Sequence, residues 1–171
     1  MHDFISYILW LFREGMFLAV PAAGFCAIIL AALYITNRRK GKPFPIKKAL
    51  LLVMIVAWGV LTVFATLLRT DTGARALNFH LFLAWKEAWN GFSLQGWLNI
   101  FLNIALFIPL GILLPLFSKR FRRFLPMLFT GTLLSFAIEL AQFIFIKGIS
   151  DIDDLFANIL GTMLGWGIIA S

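Results

Sequence analysis

Five long apolar stretches leave this chain very few ways to fold. They are Met16–Ile35, Ala49–Leu68, Trp97–Phe117, Phe124–Ile146 and Ile152–Ala170. The first three hold no charged residue, and each stretch is long enough to cross a hydrocarbon core of ~30 Å as a helix. Inside lipid every backbone N–H and C=O must find its partner within the protein, which restricts spanning segments to helices and closed barrels. Continuous apolar runs, without alternation, select the helix. The expected fold is therefore all-α: a polytopic transmembrane helical bundle of about five spans, forming one domain over residues 1–171.

Composition agrees. The chain is 61% hydrophobic and 13% charged, whereas soluble domains lie near ~45–50% and ~25%. No polar stretch is long enough for a separate soluble domain. Cys26 is the only cysteine and lies in an apolar run, so an intrachain disulfide is excluded. Asp3 and Glu14 outnumber Arg13 near the start, unlike the basic n-region of a signal peptide, so the first span is expected to be retained.

The net charge of +7 does not indicate nucleic acid, because of where the charge sits. Asn37–Lys48 carries Arg38, Arg39, Lys40, Lys42, Lys47 and Lys48; Ser118–Arg123 carries Lys119, Arg120, Arg122 and Arg123. Neither loop contains an acid. The positive-inside rule places both in the cytoplasm, with contact to anionic lipid headgroups. Five spans then put the N-terminus outside and the C-terminus inside. All eight acids fall on or toward the outer face: Asp3, Glu14, Asp71, Glu87, Glu139, Asp151, Asp153 and Asp154. Arg13, Arg69, Arg75, Lys86 and Lys147 share that side. Two amphipathic segments complete the map. Phe4–Phe12 either lies in the interface or lengthens the first helix. Ala76–Phe92, rich in Phe and Trp, suits a helix at headgroup level or a re-entrant piece.

Against this apolar background three polar sets mark a site. They are Asn99 with Asn103; Ser135 with Glu139 and Gln142; and Asp151, Asp153 and Asp154 with Asn158. A carboxylate at the centre of a membrane helix costs roughly 2.5–3.5 kcal/mol on insertion scales. On the topology above, all three sets lie in the outer half of their spans. Their spacings of three and four put each set on one helical stripe. Gly131 continues the second stripe, and Gly161 and Gly165 continue the third at a spacing that allows close helix packing. Asp153 falls off its stripe, toward the outer loops or Lys147. Two plainer readings compete with a ligand site: interhelical hydrogen bonds for the amides, and a helix N-cap for Asp151. The third span also carries Pro109, Gly111 and Pro115, which are expected to break it.

These residues resemble the VanZ-like membrane protein family. The resemblance rests on Asn103 followed by Phe107-Ile-Pro-Leu-Gly111, then Ser135-x-x-x-Glu139-x-x-Gln142, Asp151-Ile-Asp-Asp154, Asn158-x-x-Gly161 and Gly165. Asn78–Phe82 is similar to the family's outer Asn-Leu-x-Pro-Phe element, with Leu81 in place of proline. Many members carry an arginine shortly before the Asp-rich run; here the nearest base is Lys147. The motifs cover about half the chain, within a family core of residues 76–170. The resemblance implies a multi-pass protein of the bacterial cell membrane. It also implies a link to resistance against teicoplanin, a lipid-bearing glycopeptide that acts at the cell surface.

Three functions are then open. The favoured one is a non-enzymatic binder whose outer groove takes Asn99, Asn103, Ser135, Glu139, Gln142, Asp151, Asp153, Asp154 and Asn158 as ligand contacts. Its partners would be membrane lipids and a lipoglycopeptide or lipid-linked cell-wall precursor. The second is a membrane enzyme acting on a lipid-linked envelope substrate, with Glu139 and Asp154 as candidate catalytic carboxylates. No His-Glu-x-x-His, Gly-x-Ser-x-Gly or phosphate-binding loop supports it, and His80 is the only internal histidine, the one conceivable base for Ser135. The third is a transporter, disfavoured because no polar path continues to the cytoplasmic half. No cofactor, resident metal or nucleic-acid partner is expected.

Overall fold

Helix dominates because apolar segments in lipid have no other way to pair their backbone. The computed structural model describes residues 2–67, 77–145 and 150–170, with side chains at 19–66, 78–145 and 151–170. Arg69, Asp71, Arg75 and Lys147 lie outside the described residues, as do the side chains of Asp3, Arg13 and Glu14. The helices are α1 (His2–Arg39), α2 (Ile46–Leu67), α3 (Leu83–Asn90), α4 (Leu94–Phe117), α5 (Phe124–Phe145) and α6 (Ile152–Ala170). A 3₁₀ turn spans Lys119–Arg122, and two-residue strands β1 (Leu77–Asn78) and β2 (Ser150–Asp151) pair in parallel. Five helices are long and apolar enough to cross a membrane: Ala19–Arg39, Ile46–Thr66, Leu94–Phe117, Phe124–Phe145 and Ile152–Ala170. The protein is a multi-pass, all-α membrane protein, as its hydropathy requires.

The chain forms two compact units, Met1–Phe64 and Ala65–Ser171. In the first, Phe4–Phe12 belongs to α1, so this segment lengthens the first helix. Large apolar side chains such as Val20, Phe25 and Ile28 are exposed on α1, as befits a lipid-facing helix. In the second unit, α4 starts at Leu94 because Ser93 caps it, its Oγ accepting from Gly96 N at 3.1 Å.

The expected break in this helix does not occur: α4 runs unbroken through Pro109 and Pro115. Each proline removes one ladder hydrogen bond, but helix packing in a membrane bundle holds such positions together. The Pro115 carbonyl, one of the last four of the helix and so without an intrahelical donor, accepts from Arg122 Nε at 3.4 Å.

The core of the second unit is the seam between α4 and α6. A Cβ on Gly161 would overlap the Ile104 carbonyl oxygen, one on Gly165 the Ile108 carbonyl oxygen, and one on Gly111 the Thr162 carbonyl oxygen. The order of these contacts shows that α4 and α6 run parallel. On the other side of α6, Gly131 of α5 faces the Thr162 side chain, and Ser135 meets Asn158 one turn further along in the opposite sense. Thus α5 is antiparallel to both. Between lipid-soluble helices there is no hydrophobic gain on association, so close backbone approach through glycine must supply the packing energy.

Gly161→Ala should therefore lower the stability of the purified protein by about 1–3 kcal/mol, the usual cost of overpacking. Gly167, which has open space around it, is the control: Gly167→Ala should leave the thermal midpoint unchanged or raise it. Equal behaviour of the two variants in a thermal-shift assay would rule out the close-packing account.

Candidate functional site

The site grows out of the layers around the α4–α6 seam. Thr162 sits between Gly111 and Gly131. Stepping four residues along each helix, toward the end where α5 finishes and α6 begins, reaches Phe107, Ser135 and Asn158, all buried. Asn158 Nδ2 donates to Ser135 Oγ at 3.0 Å there, and Thr162 Oγ1 donates back to the Asn158 carbonyl at 3.0 Å. A second step reaches the register of Asn103, Glu139 and Asp154; the first two are buried and Asp154 is half-buried. Small residues thus give way to polar ones along the same three stripes.

Beyond that layer the carboxylates act as backbone acceptors. The first N–H groups of any helix lack intrahelical partners, and in an apolar setting they need side-chain oxygens. Asp151 caps α6, its Oδ1 accepting from Asp153 N at 2.9 Å. Glu139, only 6% exposed, accepts the Asp151 N–H on Oε2 at 2.9 Å. Asp153, 1% exposed, turns away from the stripe toward the preceding loop, where it accepts from Phe82 N and from Ala84 N at 2.7 Å. Asn78 Nδ2 donates to Asp151 Oδ2 at 3.0 Å, beside the β1–β2 pairing of Asn78 with Asp151. Four residues of one polar cluster therefore tie segment 77–84 and the end of α5 to the start of α6.

Phe82 adopts a left-handed backbone conformation (φ 64°), an unusual one for a residue with a bulky side chain. Its ring is held edge-on by Phe156 at 5.2 Å and Trp85 at 6.4 Å, and Trp85 in turn meets Trp97 at 6.2 Å. These contacts and the close approach of Ala88 to Gly96 dock α3 on α4 and α6. The amphipathic stretch Ala76–Phe92 is thus packed onto the unit by its Phe82–Ala88 portion, while Phe79, Trp89 and Phe92 remain exposed.

A cavity of about 360 Å³ opens beside this cluster. Asn78, Glu139 and Asp151 form its polar part. Its apolar walls are Phe136, Leu140 and Phe143 of α5, Ile152 and Leu155 of α6, and Phe79 from segment 77–84, the strap across this end of the unit. Phe136 and Leu140 are also exposed on the outside of α5, so the groove opens sideways.

The residues singled out from sequence are distributed as follows. Glu139 and Asp151 line the groove, and Ser135, Asn158 and Asn103 lie buried in the layers beneath. Asp154 shares the Asn103–Glu139 register. Gln142 is buried and donates to the Thr66 carbonyl at 3.1 Å, joining α5 to the last turn of α2. Asn99 stands apart on an exposed face, where it accepts from Gln95 Nε2 at 3.2 Å. No hydrogen bond joins Ser135 to His80, which is exposed. Asn103 Nδ2, Asn158 Oδ1 and Gln142 Oε1 are buried with no hydrogen-bond partner among the described residues. Among the described residues no three or more His, Cys, Asp or Glu side chains are grouped so as to hold a metal ion. Sequence reasoning singled out Phe79 within the aromatic segment Phe79–Trp89 as an acyl contact, but missed Asn78 as a site residue and missed the apolar walls that α5 and α6 supply. Asn78 was visible within the Asn-Phe-His-Leu-Phe element. Phe136, Leu140 and Phe143 were visible only as a lipid-facing stripe.

The chain belongs to a known family. A family model described as VanZ/LLP1 matches residues 48–171. Over 63 residues the chain is 41% identical to "Protein VanZ" of Enterococcus faecium, an overlap covering 37% of this chain and 38% of that relative. The chain thus spans well under half the length of this curated relative. No solved structure matches.

Removing the Asp153 carboxylate should release the strap. Asp153→Ala leaves two backbone N–H groups without their acceptor, at about 2 kcal/mol, so local opening and hydrogen exchange at Phe82 and Ala84 should accelerate roughly thirtyfold. Mass-spectrometric exchange across 77–90 in detergent reads this directly. Unchanged protection there would show that the remaining contacts, aromatic and polar, hold the segment without Asp153.

Proposed function

We propose that this VanZ/LLP1-family protein binds a lipid-bearing ligand in the groove between α5, α6 and the 77–84 strap, at the outer face of the bacterial cell membrane, as a binder and not as an enzyme. The observation that carries the reading is the groove's composition: continuous apolar walls meeting Asn78, Glu139 and Asp151 at one end. Pockets for amphiphiles pair a large apolar surface with a few fixed polar groups. The lateral opening suits a ligand that arrives through the bilayer with its chain already in lipid.

Orientation follows from charge. With the ten basic residues of Asn37–Lys48 and Ser118–Arg123 in the cytoplasm, the N-terminus lies outside and the C-terminus inside. Because α4 and α6 run away from the groove end and α5 runs toward it, the groove then faces the outer leaflet. The resemblance to VanZ-like proteins supplies the ligand class: a glycopeptide with a lipid tail such as teicoplanin, or a lipid-linked cell-wall precursor. Holding the tail-bearing drug in the groove, or keeping it from anchoring, would confer resistance.

Susceptibility to teicoplanin and to vancomycin should be measured in a sensitive Gram-positive host, with wild type, Glu139→Gln and Leu140→Trp at equal membrane levels. The expected outcome is selective protection against teicoplanin by wild type. Leu140→Trp, whose larger side chain fills the groove, should lose that protection, and Glu139→Gln should reduce it several-fold. Protection that survives both changes would remove the groove from the mechanism. Absence of protection by wild type would remove the resistance role. Cysteine labelling along α5 and α6 tests the orientation: reaction at 136, 140 and 143 with an impermeant reagent from outside alone is expected, and reaction from the cytoplasmic side would overturn it.

A further inference from the structure

The geometry points to a sharper ligand class for this groove: an amphiphile with one alkyl chain and a cationic amine headgroup, its ammonium docked on the carboxylate of Asp151. The inference rests on the groove reading above and adds the headgroup charge, the chain number and the residue that contacts the headgroup.

Glu139 and Asp151 are both in the groove wall, but they are held differently. Glu139 is buried and is committed to the Asp151 backbone N–H. Asp151 is half-buried at the groove surface. Among the described residues its oxygens receive neutral donors: Asn78 Nδ2 at 3.0 Å on Oδ2 and Asp153 N at 2.9 Å on Oδ1. A carboxylate offers about four lone-pair sites, so these two bonds orient it without saturating it or cancelling its charge. Asp151 is thus the group with charge to offer a ligand, and Glu139 is a positioning residue that fixes the backbone on which Asp151 stands.

The groove is small. At about 360 Å³ it lies at the low end of the range for ligand pockets, a seat for one alkyl segment along α5 and α6 whose remainder continues through the lateral opening into lipid. The bilayer sharpens the argument. A chain moving from lipid into the groove leaves one apolar phase for another, so the hydrophobic gain nearly vanishes. Selectivity must then come from the headgroup, where a charge-assisted hydrogen bond to a carboxylate is the strongest contact within reach.

The full-length protein in zwitterionic nanodiscs can be labelled with dodecylammonium carrying a terminal photoreactive diazirine, and the adducts mapped by mass spectrometry. Label is expected on 136–143 and 152–155. Unlabelled dodecylammonium should displace it about tenfold more effectively than dodecyl sulfate, the factor one charge-assisted bond supplies, and didodecylammonium, which carries two chains but keeps N–H donors, should displace it poorly. Asp151→Asn keeps the helix cap on its one oxygen, because Asn caps as well as Asp, while its amide nitrogen takes the place of the oxygen that faces Asn78; the Asn78 amide must turn to meet it, giving up the His80 N–H. This variant should lower the thermal midpoint slightly and retain the groove label but lose the preference for amine over sulfate. An amine preference that persists in Asp151→Asn overturns the assignment of the headgroup to Asp151. Groove labelling with equal displacement by sulfate, or by the two-chain amine, overturns the ligand class while leaving a lipid-binding groove in place. Label confined to residues outside the groove overturns both.

Discussion

The start of α6 is the point on which the second unit depends. A helix that begins at the edge of a hydrocarbon layer presents N–H groups that water cannot reliably reach, and each buried one without an acceptor costs about 1–3 kcal/mol. Asp151, Asp153 and Glu139 meet this demand in a chain of acceptors. Glu139 takes the Asp151 N–H, Asp151 takes the Asp153 N–H, and Asp153 reaches back to the N–H groups of Phe82 and Ala84. Three carboxylates near one helix end would repel one another if they only shared space. Here each faces a different set of backbone dipoles, which offsets part of that repulsion. The same bonds fix the strap that supplies Asn78 and Phe79 to the groove, so the groove's shape follows from the way α6 begins.

Close packing makes this arrangement possible. With Gly161 and Gly165 against Ile104 and Ile108, α6 lies so near α4 that its polar stripe turns toward α5. Ser135 and Asn158 can then bond directly, and Glu139 can reach the Asp151 backbone. A larger residue at Gly161 would push α6 off α4 and disturb the register in which both bonds form. The small-residue and polar layers are therefore one device: the first sets the distance across which the second works.

Most of the architecture was legible in the sequence because the membrane leaves few choices. Apolar runs of about twenty residues dictate spanning helices, and glycines at a four-residue spacing on the polar stripe of α6 mark a seam. What remained illegible was local. Pro109 and Pro115 read as breakers by water-based propensities, yet α4 continues because a lipid-embedded segment has no better alternative for its backbone. Asn99 and Asn103 read as a pair at i,i+4, but only Asn103 faces the interior. The roughly 40° that accumulates over four residues of a 3.6-residue helix, together with its place near the first turn of α4, puts Asn99 on an exposed face. Asp153 showed its direction by falling off the stripe; the two donors it accepts from, being backbone N–H groups of a distant segment, carry no sequence signature.

This division of labour bears on function. A cluster read from sequence as nine ligand contacts separates, in the structure, into parts with different duties. Asp153 and Glu139 hold backbone, Ser135 and Asn158 hold helices together, and Asp151 with Asn78 meets the groove, which Glu139 also lines. On the binding reading proposed above, changes at the first two groups would alter the shape of the groove and so affect every ligand. Changes at the last would alter what the groove prefers. A phenotype from Glu139 alone therefore cannot identify the ligand contact, since it reports on the scaffold as well; only a comparison in which Asp151 shifts preference while the fold stays constant separates the residue that recognises from the residues that position it.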